Sequence, residues 1–158
     1  MMHTKKSFSI IEMVIYTGVY IILMTVLAQL FISTLEVQRE SQSSSSVSRD
    51  GKFILSRLSY DIRRATSIDT PSTPGSQDGT LELTIVGLPY TYSVSDGNLL
   101  LNGDRLNGYD TTVSDLNFIR LGNAGGKNSI QLDFTLTGNT VKASGTEVES
   151  FHTTVGLR

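Results

Sequence analysis

The chain has no cysteine and no tryptophan, and only two histidines and three prolines in 158 residues. Without cysteine, disulfides and thiolate metal sites are excluded. His3 precedes a long apolar run, which leaves His152 as the one histidine of the remaining chain. No Ser lies three residues before any lysine, and neither a His-x-x-x-His pair nor a phosphate-cradling loop is present. A conventional nucleophile–base pair has few residues to be built from. No enzymatic activity, metal or cofactor is therefore expected. The net charge is −2, and the longest basic runs are Lys5–Lys6 and Arg63–Arg64. A nucleic-acid surface would need a concentrated basic face, so no nucleic-acid partner is expected.

Charge is also missing from one continuous stretch. From Met13 to Leu35 no Asp, Glu, Lys or Arg occurs, and no Pro interrupts a helix. A helix of this length reaches about 34 Å, enough to cross a hydrocarbon core of about 30 Å. Val, Ile, Leu and Phe dominate the run and favour insertion by roughly 4–7 kcal/mol, while one carboxylate near its edge costs at most about 3 kcal/mol. Insertion wins, and membrane lipid is an expected partner. The remaining chain is too polar to wrap such a helix as a buried core element. An ordinary secretory signal would have a shorter apolar core and a small-residue cleavage site after it. Lys5 and Lys6 on the short N-terminal flank, against Arg39 beyond the run, put the N-terminus in the cytoplasm and the bulk of the protein outside the cytoplasmic membrane.

The segment Lys5-Lys6-Ser7-Phe8-Ser9-Ile10-Ile11-Glu12-Met13, followed by this run, resembles the N-terminal signature of type IV pilins and type II secretion pseudopilins. The resemblance implies a short basic leader, residues 1–7, removed by a prepilin peptidase between Ser7 and Phe8, then N-methylation of Phe8. It implies a membrane and assembly helix over 8–35, an amphipathic continuation over 36–68 and an antiparallel β head over 69–158. Expected partners are other pilin or pseudopilin subunits, the prepilin peptidase and the inner-membrane assembly platform. Two positions depart from the common pattern. Ser7 stands where the family has Gly, and it is still small. Gln29 stands where many major pilins carry a helix-kinking Pro, so the helix keeps its hydrogen-bond ladder, as in minor subunits. The signature is shared by filaments serving secretion, adhesion, motility and DNA uptake.

Glu12 is the residue with a physical role to fill. An ionisable group at the bilayer edge is costly unless paired. A cut before Phe8 would create an ammonium group four residues away, able to pair with the Glu12 of a neighbouring subunit. The other reading of the same residues is an uncleaved single-pass membrane protein whose extracytoplasmic β head binds a ligand or partner.

Past the run, Val47, Phe53 or Ile54, Leu58, Ile62 and Ala65 recur at helical spacing among charges. Ser41–Ser46 between the two helical parts reads either as a flexible linker or as solvated turns of one long helix. The family resemblance favours the continuous helix. Pro71 and Pro74 close the helical region. Thr80–Ile85 and Ile130–Leu136 alternate with period two, and Asp96-Gly97 between Tyr90–Val94 and Leu99–Leu101 is a hairpin signal. A further strand is expected around Leu116–Ile119, a turn at Gly125–Asn128 and a last strand over Val148–Val155. Asn102-Gly103-Asp104 and Asn107-Gly108-Tyr109-Asp110 offer oxygens but lack calcium-loop spacing, and read as turns. The expected fold class is α+β, with a long N-terminal helix and an antiparallel sheet forming a two-layer, pilin-like head.

Overall fold

A computed structural model describes residues 9–123, 126–142 and 145–158. It has one helix, α1 (Ile10–Arg64), followed by nine strands: β1 (Ser67–Thr70), β2 (Gln77–Asp78), β3 (Leu81–Ile85), β4 (Leu88–Ser95), β5 (Asn98–Leu101), β6 (Asp104–Arg105), β7 (Thr111–Leu121), β8 (Ser129–Lys142) and β9 (Gly145–Gly156). All strand pairs are antiparallel. The α+β class is as expected. The single expected sheet is instead two, a five-stranded one ordered β1-β3-β4-β5-β6 and a four-stranded one ordered β2-β7-β8-β9. The chain divides after Gln38 into two compact units, and each is described separately.

In the first unit, none of the described residues of α1 is buried. The hydroxyls of Thr17, Thr25 and Thr34 donate to the carbonyls of Met13, Ile21 and Leu30, at 2.8, 2.9 and 2.9 Å. Back-bonding of this kind satisfies each hydroxyl within its own helix, which lowers the cost of placing it in hydrocarbon.

In the second unit, the Ser41–Ser46 stretch is helix throughout, which decides between the two readings of that segment. Its small side chains form a seam. Ser43, Ser46, Val47 and Gly51 are buried on one side of the helix, and Ile54, Leu58, Asp61 and Ile62 continue the stripe. A Cβ at Gly51 would lie 2.0 Å from the Phe151 ring, and one at Gly138 would lie 2.7 Å from Ser43 Oγ. Helix and four-stranded sheet therefore meet through small residues of the helix, with the Phe151 ring of β9 against Gly51 and Gly138 of β8 against Ser43. Phe151 stacks on Phe134 with centroids 5.1 Å apart. The period-two strands do what their pattern implies: Leu81, Leu83 and Ile85 of β3, and Ile130, Leu132, Phe134 and Leu136 of β8, are all buried. The predicted hairpin at Asp96–Gly97 joins β4 to β5, and the last strand is longer than the Val148–Val155 expected. Gly125, in the predicted turn after β7, lies outside the described residues.

The two sheets are joined by Arg120 of β7. Its guanidinium donates through NH1 to the carbonyls of Ile68, Pro71 and Ser72 at 3.1, 3.2 and 2.8 Å, around the cis Thr70–Pro71 peptide. A side chain from one sheet thus closes the loop that leaves the other.

The seam makes an opposite-sign test possible. Gly→Ala in an exposed helix gains about 1 kcal/mol, whereas a methyl forced into the Phe151 ring costs about 1–3 kcal/mol. Gly51→Ala is expected to lower the unfolding free energy of the full chain in detergent, with Phe151→Leu restoring part of the loss. A net gain in stability would show that α1 and β9 do not touch at this point.

Candidate assembly surface and its polar contacts

In the first unit, the carboxylate that sequence singles out sits in the opening turn of α1, where the helix dipole favours a negative charge. Glu12 Oε1 accepts from the Tyr16 hydroxyl at 3.0 Å, one turn along the same face. The i,i+4 spacing of Glu and Tyr was the signal for this pair. Around it, Ile10, Met13, Val14, Thr17, Gly18 and Ile21 line an open apolar groove, and nothing lies within 4 Å of the missing Gly18 side chain. A neighbouring helix can approach closely at such a notch. Ser7 and Phe8, the expected cleavage pair, and Lys5 and Lys6 of the leader lie outside the described residues.

In the second unit, two carboxylates of α1 fix the β strands to the helix. Asp50 Oδ2 accepts from the backbone N–H of Gly108 at 2.8 Å and from the Thr111 hydroxyl at 2.6 Å. That anchors the crossing from the five-stranded to the four-stranded sheet. Arg105 donates to the carbonyls of Asn107, Gly108 and Thr111 in the same crossing and stacks on the Tyr109 ring. Asn107 is buried, with its Oδ1 accepting from Leu99 N at 2.9 Å and its Nδ2 donating to Thr111 O at 2.7 Å. Asn102 Oδ1 likewise accepts from Thr91 N at 2.8 Å. These asparagines complete backbone turns. Among the described residues no group of three or more His, Asp or Glu is placed to hold a metal ion.

Asp61 is 1 % exposed in the core, where an unpaired charge would be untenable. Its Oδ2 accepts from the Tyr92 hydroxyl at 2.5 Å and from Arg57 Nε at 2.8 Å. Burial, and then the bond to Asp61, push the Tyr92 phenol well above its ordinary range. The Arg57 guanidinium is held above its usual value by its hydrogen bond with Tyr92 and the charge of Asp61, against the opposing effect of burial. Sequence reading missed this trio, although an Asp within the apolar stripe Leu58–Ile62–Ala65 was a visible signal.

On the outer face of the four-stranded sheet, His152 Nδ1 pairs with Asp133 of the neighbouring strand, and Gln131 Nε2 donates to the same carboxylate at 3.3 Å. His152 is well exposed there, as a surface histidine in a polar sheet face. Comparison of the chain with models of protein families, with curated proteins and with solved structures found no match in any of the three.

The Asp61 trio has a pH signature. Tyr92→Phe removes one donor from a buried carboxylate and is expected to cost about 1–3 kcal/mol near neutral pH. Because the native phenol holds its proton more tightly than the unfolded one, its stabilising contribution is intact below about pH 10 and is lost as pH rises further. The stability gap between wild type and Tyr92→Phe should therefore narrow in denaturant titrations above about pH 10. A gap constant to higher pH would show that the hydroxyl does not donate to Asp61.

Proposed function

We propose that the chain is a non-enzymatic, membrane-anchored subunit, of the minor class, in a type IV pilus-like or type II secretion-like filament. Its N-terminal helix is held in the cytoplasmic membrane before assembly and packs against other subunits' helices afterwards. A prepilin peptidase removes residues 1–7 by cutting between Ser7 and Phe8, and the new N-terminus is methylated. The leader faces the cytoplasm and the β-rich unit lies outside. The observation that carries this reading is Glu12, a single carboxylate four residues after Phe8, at the head of a helix none of whose described residues up to Gln38 is buried. An apolar surface all round a helix needs lipid or other helices as its solvent. A carboxylate at its edge needs a cation. The ammonium group of a processed neighbour provides one, and the open notch at Gly18 admits that neighbour's helix.

The test expresses the full chain with a prepilin peptidase and measures intact mass and N-terminal sequence, beside a peptidase-free control. Peptidase-dependent loss of Met1–Ser7 is expected. Glu12→Ala should still be cut yet enter sheared filaments less well, by about tenfold for the loss of roughly 1.4 kcal/mol of pairing. A chain that keeps its N-terminus intact, and never appears in a filament fraction, makes it instead an uncleaved membrane protein with a binding module outside the cell.

A further inference from the structure

One cleft of the second unit is walled by polar side chains, and one of them is buried without a partner. The cleft measures about 240 Å³ and is lined by Arg39, Gln42, Ser43 and Ser46 of α1, by Asp110 between β6 and β7, and by Thr140 of β8. Ser43 and Ser46, 4 % and 7 % exposed, form its floor, and Arg39, Gln42 and Asp110 its rim. Ser46 donates its hydroxyl to the Gln42 carbonyl at 3.0 Å. Ser43 does not follow: its Oγ is shut off from water and has no hydrogen-bond partner among the described residues. The buried polar groups of Asp61, Asn107 and Thr111 in the same unit are all satisfied. An unsatisfied buried hydroxyl is costly, and one at the floor of a polar cleft points to a ligand that completes it.

The cleft carries one charge of each sign. Neither Arg39 nor Asp110 forms an ion pair with a described residue. Arg105 and Asp50, close by, are both spent on the loop of residues 107–111. Glu147 stands next to Gly138, opposite Ser43, and Glu40 follows Arg39 on the helix. The surroundings therefore lean acidic, which disfavours a net anion. A zwitterion with one strong acceptor and one ammonium matches both charges of the cleft and adds none.

The two charges are ordered along α1. Asp50, well beyond Arg39 on the helix, holds the loop that contains Asp110. Arg39 is therefore at the end of the cleft nearer in the chain to the apolar run, and Asp110 at the end farther from it. Arg39 follows Leu35, the last residue of that run, by four positions, and four residues of chain reach at most about 14 Å. Headgroup layers extend roughly 5–8 Å beyond each face of the hydrocarbon core. With the run in the bilayer, Arg39 is within reach of the headgroups. In an ethanolamine phospholipid the phosphate adjoins the glycerol and the primary ammonium is terminal, the same order as Arg39 and Asp110.

We propose that this cleft seats the headgroup of an ethanolamine phospholipid from the outer leaflet of the cytoplasmic membrane. The phosphate lies on the Arg39 guanidinium and accepts from the Ser43 hydroxyl, and the ammonium donates to the Asp110 carboxylate. The proposal rests on the membrane anchoring proposed above and goes beyond it, naming the lipid that holds the β-rich unit at the membrane surface before assembly.

The test uses the full chain, purified in detergent and stripped of lipid. It is titrated with short-chain phosphatidylethanolamine, phosphatidylcholine or phosphatidylglycerol, and bound lipid is read by native mass spectrometry. One ethanolamine lipid per chain is expected, held about tenfold more tightly than the other two, since choline has no N–H for Asp110 and glycerol no cation. Asp110→Asn should erase the preference over choline. Ser43→Ala should weaken retention of the ethanolamine lipid severalfold, yet leave the melting temperature of the lipid-free chain unchanged or higher, because it deletes an unpaired buried hydroxyl. A serine kept only for packing would show the reverse, a lower melting temperature with retention untouched, and would overturn the proposal. So would equal retention of the three lipids, or a preference that survives Asp110→Asn. A chain that alkaline carbonate strips from membranes would overturn the membrane reading, and this proposal with it.

Discussion

The second unit depends on how closely one helix approaches a sheet. Ser43, Ser46 and Gly51 on α1, and Gly138 on β8, leave no room for larger side chains, and the Phe151 ring fills the space that a Gly51 Cβ would occupy. Close packing makes such a spacing nearly inelastic, since interiors tolerate neither voids nor overlap. With the helix held at this distance, Ile54, Leu58 and Ile62 reach the same core as Leu132 and Phe134. Asp50 also comes within hydrogen-bond reach of Gly108 and Thr111, and Asp61 within reach of Tyr92.

Those two aspartates show how polar groups are used in a small core. Asp50 satisfies backbone and hydroxyl donors at the crossing between the sheets, where a loop would otherwise be free to shift. Asp61 is the more demanding case, because a buried carboxylate left unpaired costs far more than the pair contributes. Its two donors come from different elements, Arg57 one turn away on α1 and Tyr92 on β4. The trio consequently specifies where the five-stranded sheet stands against the helix, a kind of positional information that apolar contacts supply less sharply.

The first unit obeys the opposite rule. Its described surface is apolar on all sides, its threonine hydroxyls are satisfied by its own carbonyls, and its one described carboxylate before Glu36 is bonded only to Tyr16. No described residue of the unit covers this surface, so its stability is set by its surroundings. One continuous helix thus carries an uncovered apolar surface before Gln38 and packs into a protein core after Arg39. The proposed filament role uses both halves together.

Much of this was legible in the sequence because the signals are local. An uncharged run of the length of Met13–Leu35 fixes the apolar half of α1 whatever follows it, since backbone and side chains meet the same medium. The period-two pattern of Leu81–Ile85 and Ile130–Leu136 fixes strands with a buried face, and Asp96-Gly97 fixes a hairpin, because each depends only on neighbours along the chain. Glu12 stands out by its charge alone. Other features required distant residues to meet. The way the two sheets are held together depends on Arg120 reaching the Ile68–Ser72 loop, and the Ser41–Ser46 run, which has no strong preference of its own, packs as helix with Ser43 against Gly138. The meaning of Asp61 waits on Tyr92, thirty-one positions later. Sequence by itself determined which segments are apolar, periodic or turning. Tertiary structure alone decided which of the polar and small residues pack together, because desolvation and steric fit depend on what lies opposite in space rather than on what lies next in the chain.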